Sequence, residues 1–171
     1  VKVLHVVPAL FGSEGVYGGA ERYVFELAKA MSPHAQTRLV TFGSRANSRQ
    51  DGELQIRVLG RPLYVRGQRG NPVASGLLRH LLWADVVHCH QRHVLFASLS
   101  ALVGGALGKP VFATELGGGG WDLSAYLRNE HWFSGHLHIS EYSRRLARHT
   151  DGVCSSVILG GVDCEKFSPS T

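Results

Sequence analysis

A glycine-rich loop set between an apolar strand and an amphipathic helix constrains this chain more than any other feature. Val1, Val3, Leu4, Val6 and Val7 give a run apolar on both faces of an extended segment, as in strands buried within a parallel sheet. Pro8, which has no N–H to offer a ladder, closes the run. The loop Gly12-Ser13-Glu14-Gly15-Val16-Tyr17-Gly18-Gly19 follows, and a helix opens at Ala20. Ala20, Tyr23, Val24, Leu27, Ala28 and Met31 recur at three- and four-residue spacing, which puts them on one core-facing stripe. Strand, loop and helix make the first half of a βαβ unit. Such a unit leaves unpaired N–H groups and a positive dipole end at the carboxyl edge of the sheet, where a phosphate can sit. About ten residues make a connection for which two to six suffice, and long connections are disproportionately functional.

The alternation continues along the chain. Strand-like segments are Val3 to Val7, Leu39 to Phe42, Ile56 to Leu59, Val86 to His90, Val111 to Thr114, Leu137 to Ile139 and Val157 to Leu159. Between them, Val73, Leu77, Leu78, Leu81 and Leu82 repeat at helical spacing after Pro72, and Val94 to Leu107 is apolar almost all round. Its Ala97, Ala101, Gly104, Gly105 and Ala106 allow close approach to a sheet, so it is the expected most buried helix. Asp122 and Ser124 are candidate N-caps of a short helix through Tyr126 and Leu127, and Ser140 of one through Tyr142 and Leu146. The pattern predicts a Rossmann-like three-layer α/β/α sandwich with a mostly parallel sheet of about seven strands.

Composition narrows the class. A length of 171 residues with 44% apolar and 18% charged positions is that of a globular domain, and no stretch reaches a membrane span. No targeting peptide is visible at the start. Cys89, Cys154 and Cys164 lack paired spacing and read as reduced, mostly buried thiols, which makes the cytoplasm the expected location. The net charge of +5 admits anionic partners, but the arginines do not gather on one helix face, so nucleic acid is not expected. The densest basic stretch, Arg45, Arg49, Arg57, Arg61, Arg66 and Arg69 with Tyr64 among them, suits a solvated surface. It also suits peripheral contact with anionic lipid at the inner membrane face or with an anionic acceptor.

Several ordered motifs together resemble the N-terminal domain of retaining glycosyltransferases of family 4, enzymes of the two-lobed GT-B architecture. Gly18-Gly19-Ala20-Glu21 resembles the family's loop toward the nucleotide-sugar phosphates. Ala84-Asp85-Val86-Val87-His88-Cys89-His90 resembles its fourth-strand motif, and Lys109-Pro110-Val111-Phe112-Ala113-Thr114 the next strand. Val157-Ile158-Leu159-Gly160-Gly161-Val162-Asp163, with Phe167 and Pro169, resembles the hinge toward a second domain. The resemblance implies a Rossmann-like acceptor-side domain over 1–159, a hinge segment over 160–171 and a donor-binding domain beyond it. It implies transfer of a sugar from a nucleotide-sugar to a carbohydrate, lipid or small-molecule acceptor with retention, by an enzyme of which this chain alone is an inactive fragment. Gly15, Gly18, Gly19 and Glu21 then stand as donor-phosphate contacts, and Tyr17, Gly117, Gly118 and Trp121 as acceptor contacts. Neither a cofactor nor a metal is expected.

Two departures from the family pattern matter. Where it often places a His after the fifth strand, Thr114-Glu115-Leu116-Gly117 puts Leu116, which neither donates nor accepts a hydrogen bond. Glu115 or His90 is left as the catalytic candidate. Leu159 and Gly160 replace the usual Pro-Asn of the hinge. The run Gly117 to Gly120 before Trp121 reads as a loop that either closes on substrate or is a plain surface connection, and the indole offers a face for a sugar ring. His88, His90 and His93 lack the carboxylate or cysteine pair of a zinc set, so His88 reads as packing and His90 as facing the cleft. A nicotinamide oxidoreductase is disfavoured, since the glycines are not G-x-G-x-x-G and Phe42-Gly43-Ser44-Arg45 has no acid for a ribose. A nucleotide-sugar epimerase half and a non-catalytic binding module stay open.

Overall fold

The computed structural model describes residues 1–8, 18–117, 120–147, 149 and 151–161. Gly15, Tyr17, Gly118 and the segment 162–171 lie outside the described residues. The chain forms an α/β sandwich around an eight-stranded sheet, parallel except at one edge. In chain order the elements are β1 (Lys2–Val6), α1 (Gly19–Met31), β2 (Gln36–Gly43), β3 (Asn47–Asp51), β4 (Leu54–Gly60), β5 (Leu63–Tyr64), β6 (Pro72–Val73), α2 (Leu77–Trp83) and β7 (Val86–His90). They continue with α3 (Leu95–Ala106), β8 (Val111–Glu115), β9 (Gly135–His138), α4 (Glu141–Ala147) and β10 (Ser155–Val157). The strand order is β10-β9-β8-β7-β1-β2-β4-β3, with β5 and β6 a separate small ribbon.

Side chains alternate between the two faces of each central strand, so two clusters form. On one face Leu4, Val6, Val40, Phe42, Val87, Cys89, Val111 and Ala113 pack under α2 and α3. The Phe42 and Phe96 rings meet there with centroids 5.6 Å apart. On the other face Val7, Leu39, Leu54 and Ile56 receive Val24 and Ala28 of α1, the innermost pair of its stripe. α3 buries six residues, the most of any helix described. Gly104 carries that closeness, because a Cβ there would strike Val111 Cγ2 of β8. Ser140 does cap α4, accepting the Ser143 N–H at 3.1 Å.

The expected α/β sandwich with a mostly parallel sheet forms, with the polar run Asn47-Ser48-Arg49-Gln50-Asp51 as one further strand that pairs antiparallel with β4, and two local expectations need correction. That edge strand is held by backbone bonds and shows no apolar signal. In α2 the inward residues are Leu77, His80 and Leu81, while Leu78 and Leu82 are half exposed and Val73 belongs to β6. Asp122 caps no helix through its side chain, and Leu123–Ala125 is only a single 3-10 turn.

Candidate functional site

The chain leaves β1 toward β2 and returns to β7 on β1's other side, so the strand order reverses between β1 and β7. Ligands of open α/β sheets bind outside the carboxyl ends of strands at such a switch point. The loop into α1, the turn after β7 and the segment after β8 all leave from this edge. At the first, Gly18 is extended and α1 starts at Gly19 with no side-chain cap, so its first N–H groups lack a side-chain acceptor. Gly18 and Gly19 are exposed, and the Glu21 carboxylate lies so close to Gly18 that a Cβ there would collide with it. The structure thus brings Gly18, Gly19 and Glu21 to one helix end carrying a partial positive charge.

Beneath the switch point lies a layer of three histidines. His5 of β1 and His88 of β7 are register partners, and His90 follows two residues on. His5 Nδ1 and His90 Nε2 are 2.9 Å apart, and His88 Nε2 meets Thr114 Oγ1 at 2.6 Å. Burial, with the neighbouring imidazoles, pushes His5 down to about 3 and His90 well below its ordinary value, and burial alone takes His88 down to about 4. The layer is therefore neutral at physiological pH. One ring nitrogen from each lies within 4.8 Å of the others, a spacing able to hold a cation, but among the described residues no carboxylate joins them. The expectation that His90 faces the cleft is corrected, since its side chain has no exposed surface. His93 sits apart, exposed, with Nδ1 3.8 Å from Asp122. His5 escaped sequence reading because it occupies an apolar run with no partner nearby in sequence.

Glu115 ends β8 in the wall of a cavity of about 600 Å3 at the carboxyl ends of β8 and β9. Its Oε2 accepts the Arg92 backbone N–H at 3.1 Å, while Oε1 is buried with no partner. His138 stands opposite it in the β8–β9 register and leaves Nδ1 unpartnered in the same way. On its other side His138 Nε2 meets His149 Nε2 at 2.9 Å, and His149 Nδ1 lies 3.4 Å from Glu130 Oε2. Donation of His149 Nδ1–H to Glu130 makes His149 Nε2 an acceptor for His138 Nε2–H, so His138 Nδ1 is a bare lone pair. Glu115 Oε1 and His138 Nδ1 are thus two buried acceptors left without a donor at the cavity wall. Leu116 also lines the cavity and packs, half-buried, on the Val7–Val24 cluster.

The floor beside this cavity is an ionic network that sequence reading missed. Arg92 donates from Nη1 to Asp122 Oδ2 at 2.8 Å and from Nη2 to Asn129 Oδ1, and Asn129 and Ser98 donate to the same Asp122 oxygen. Asp122 is thus a core anchor. Gly117 has φ +86, which favours glycine, and its carbonyl accepts from Gln91 Nε2. Gly120 packs against the His93 carbonyl so closely that no Cβ fits. The Trp121 carbonyl accepts from Asn71 Nδ2 at 2.7 Å, and its ring meets Tyr126 edge-on.

Fold and edge define a class: one lobe of the Rossmann-like α/β kind, with a strand-order switch point at its carboxyl edge. The model of glycosyltransferase family 4 matches residues 17–166, and the chain belongs to that family. The crystal structure of Anabaena Alr3699/HepE in complex with UDP aligns at a TM-score of 0.61 and 16% identity, over 99% of this chain and 47% of that one. The same protein in complex with UDP-glucose aligns with the same score and identity, over 99% and 46%. At that identity the likeness is one of fold, and the chain spans about half the length of these structures. No curated protein matches it. Among the described residues no helix is long and apolar enough to cross a membrane.

Proposed function

We propose that this chain is the acceptor-side lobe of a glycosyltransferase that moves a sugar from a nucleotide-sugar to a hydroxyl-bearing acceptor with retention of anomeric configuration. Family membership across residues 17–166 supports the transferase reading, and the solved structures with UDP and UDP-glucose support a nucleotide-sugar donor. The single observation that carries the division of labour is the exposed, uncapped amino end of α1 on the same sheet edge as Glu115. A retaining transfer needs the departing diphosphate stabilised and an acceptor hydroxyl held beside the anomeric carbon. Gly18 and Gly19, with Gly15 before them, offer main-chain N–H groups to the diphosphate. Glu115 is the acceptor-side polar group, with Tyr17, Gly117, Gly118 and Trp121 bordering the acceptor. His90 keeps only an indirect role, through the neutral layer under the edge. Neither a metal nor a cofactor enters this reading, and a second lobe supplies most of the nucleotide contacts.

Calorimetry with UDP and UDP-glucose tests the division: the 171-residue chain is expected to bind either weakly, and tight binding contradicts it. Transfer assays on a polypeptide that includes the second lobe, with the product anomer read by NMR, test retention. Inversion within the donor in place of transfer would assign an epimerase.

A further inference from the structure

Beyond the sugar-transfer edge, the α2 face of the sheet holds a groove of about 660 Å3 that shares no residue with the Glu115 cavity. Arg38 of β2, Arg57 of β4 and Arg79, His80 and Trp83 of α2 line it. Among the described residues no carboxylate answers the three guanidiniums. Among the described residues the ion pairs engage Lys29, Arg92, Arg144 and two histidines, and none of these arginines. Arg38 is fixed in place: its Cζ lies 3.8 Å over the Trp83 ring, and Nε and Nη2 donate to Gln55 Oε1 at 3.2 and 2.9 Å.

His80 makes the imbalance of donors explicit. Arg38 Nη1 faces its Nδ1 at 3.1 Å, and Arg79 Nε faces its Nε2 at 3.3 Å. A neutral imidazole has one bare nitrogen and one N–H, so it satisfies one arginine and turns its own N–H toward the other. Protonation removes even that acceptor, and burial together with Arg38, Arg79 and Arg57 pushes the ring down to about 4. The groove is rich in donors and positive charge and short of acceptors. An oxyanion with several acceptor oxygens completes such a set, and guanidinium forks match phosphate geometry. The groove continues through Ala46, Val58 and Arg79 into a second hollow that reaches Arg61 and Leu63, the latter 78% exposed.

We propose that this arginine groove binds a phosphate group, carried by a small phosphate ester or by a lipid headgroup, at a site separate from the sugar-transfer edge. The chain is titrated with inorganic phosphate and phenyl phosphate by NMR, and sedimented at low salt with phosphatidylcholine vesicles with and without phosphatidylglycerol. Each probe is repeated on the Arg57→Gln/Arg79→Gln double variant, which leaves the packed Arg38 in place, and on Arg144→Gln, a surface arginine elsewhere. Binding should weaken at least about tenfold in the double variant, roughly one strong charge-assisted contact, and hold in Arg144→Gln. Saturation by the phosphates alone assigns a small ester, and sedimentation with the anionic vesicles alone assigns a headgroup. Binding by neither probe, or binding unchanged in a folded double variant, overturns the proposal.

Discussion

Arg92 and Asp122, thirty residues apart in sequence, form a buried ion pair at 2.8 Å with side-chain exposures of 7% and 3%. Arg92 leads from the turn after β7, whereas Asp122 follows the glycine run after β8. The pair therefore ties together two of the three segments that leave the sheet's carboxyl edge.

Removing one partner strands the other's charge in the core. Asp122→Ala should lower unfolding free energy by about 3–5 kcal/mol, the range for breaking a buried pair, measured by urea denaturation. Burial alone would raise the Asp122 carboxyl, but the His93 imidazole 3.8 Å away and hydrogen bonds from Ser124, Asn129 and Ser98 outweigh it and hold the group well below its ordinary 3.8. A depressed carboxyl contributes stability that is present above the unfolded value and lost as pH falls toward the folded one. Wild type should therefore lose this contribution below about pH 4, and Asp122→Asn should remove that limb of the profile.

Histidine burial sets a second and higher acid limb. His5, His80, His88, His90, His136 and His138 all have lowered pKa values, with burial the largest cause in each. They stay neutral in the folded chain and take up protons near 6.5 when unfolded, so their contribution is whole above pH about 6.5. It declines as pH falls from there toward about 4, the value for His80, His88 and His136. The Tm should drop steeply between pH 6.5 and pH 4.5, and a flat Tm over that interval would refute the neutral-layer account.

Adjacent glycines of α3 should respond in opposite directions. Gly104→Ala drives a methyl into Val111 and should cost about 1–3 kcal/mol, as overpacking does. Gly105 has open space around its Cβ position, and Gly105→Ala should stabilise by about 0.5–1 kcal/mol through helix propensity. Paired thermal melts check the sign of each.

Glu115 carries the chemistry proposed for the edge. Glu115→Gln keeps an acceptor for the Arg92 N–H yet removes the charge, and should reduce kcat of the transferase by about 100-fold, the lower end of what a positioned acid–base group contributes. Steady-state transfer with UDP-glucose as the trial donor measures it, and a kcat within threefold of wild type, roughly 0.7 kcal/mol, would remove Glu115 from the catalytic role.

Much of the frame was legible from local pattern. The apolar runs around Val3–Val7, Val86–His90 and Val111–Thr114 mark central strands because both faces of those strands are covered, and α3 shows its burial through Ala97, Ala101 and Gly104. β3 was not legible, since backbone pairing at an edge leaves Asn47 to Asp51 free to be polar. Nor was the inward turn of His80, which occupies a core position in α2 while Leu78 and Leu82 look out.

The order of residues along the chain determined the sandwich, the glycine-led entry to α1 and the family, because periodicity and turn chemistry act between near neighbours. Tertiary structure alone decided that His5 lies under His90, that Glu115 faces His138, and that three arginines from β2, β4 and α2 share one groove. Those meetings depend on strand register and crossover, which join residues tens of positions apart and leave no trace in any short stretch of sequence.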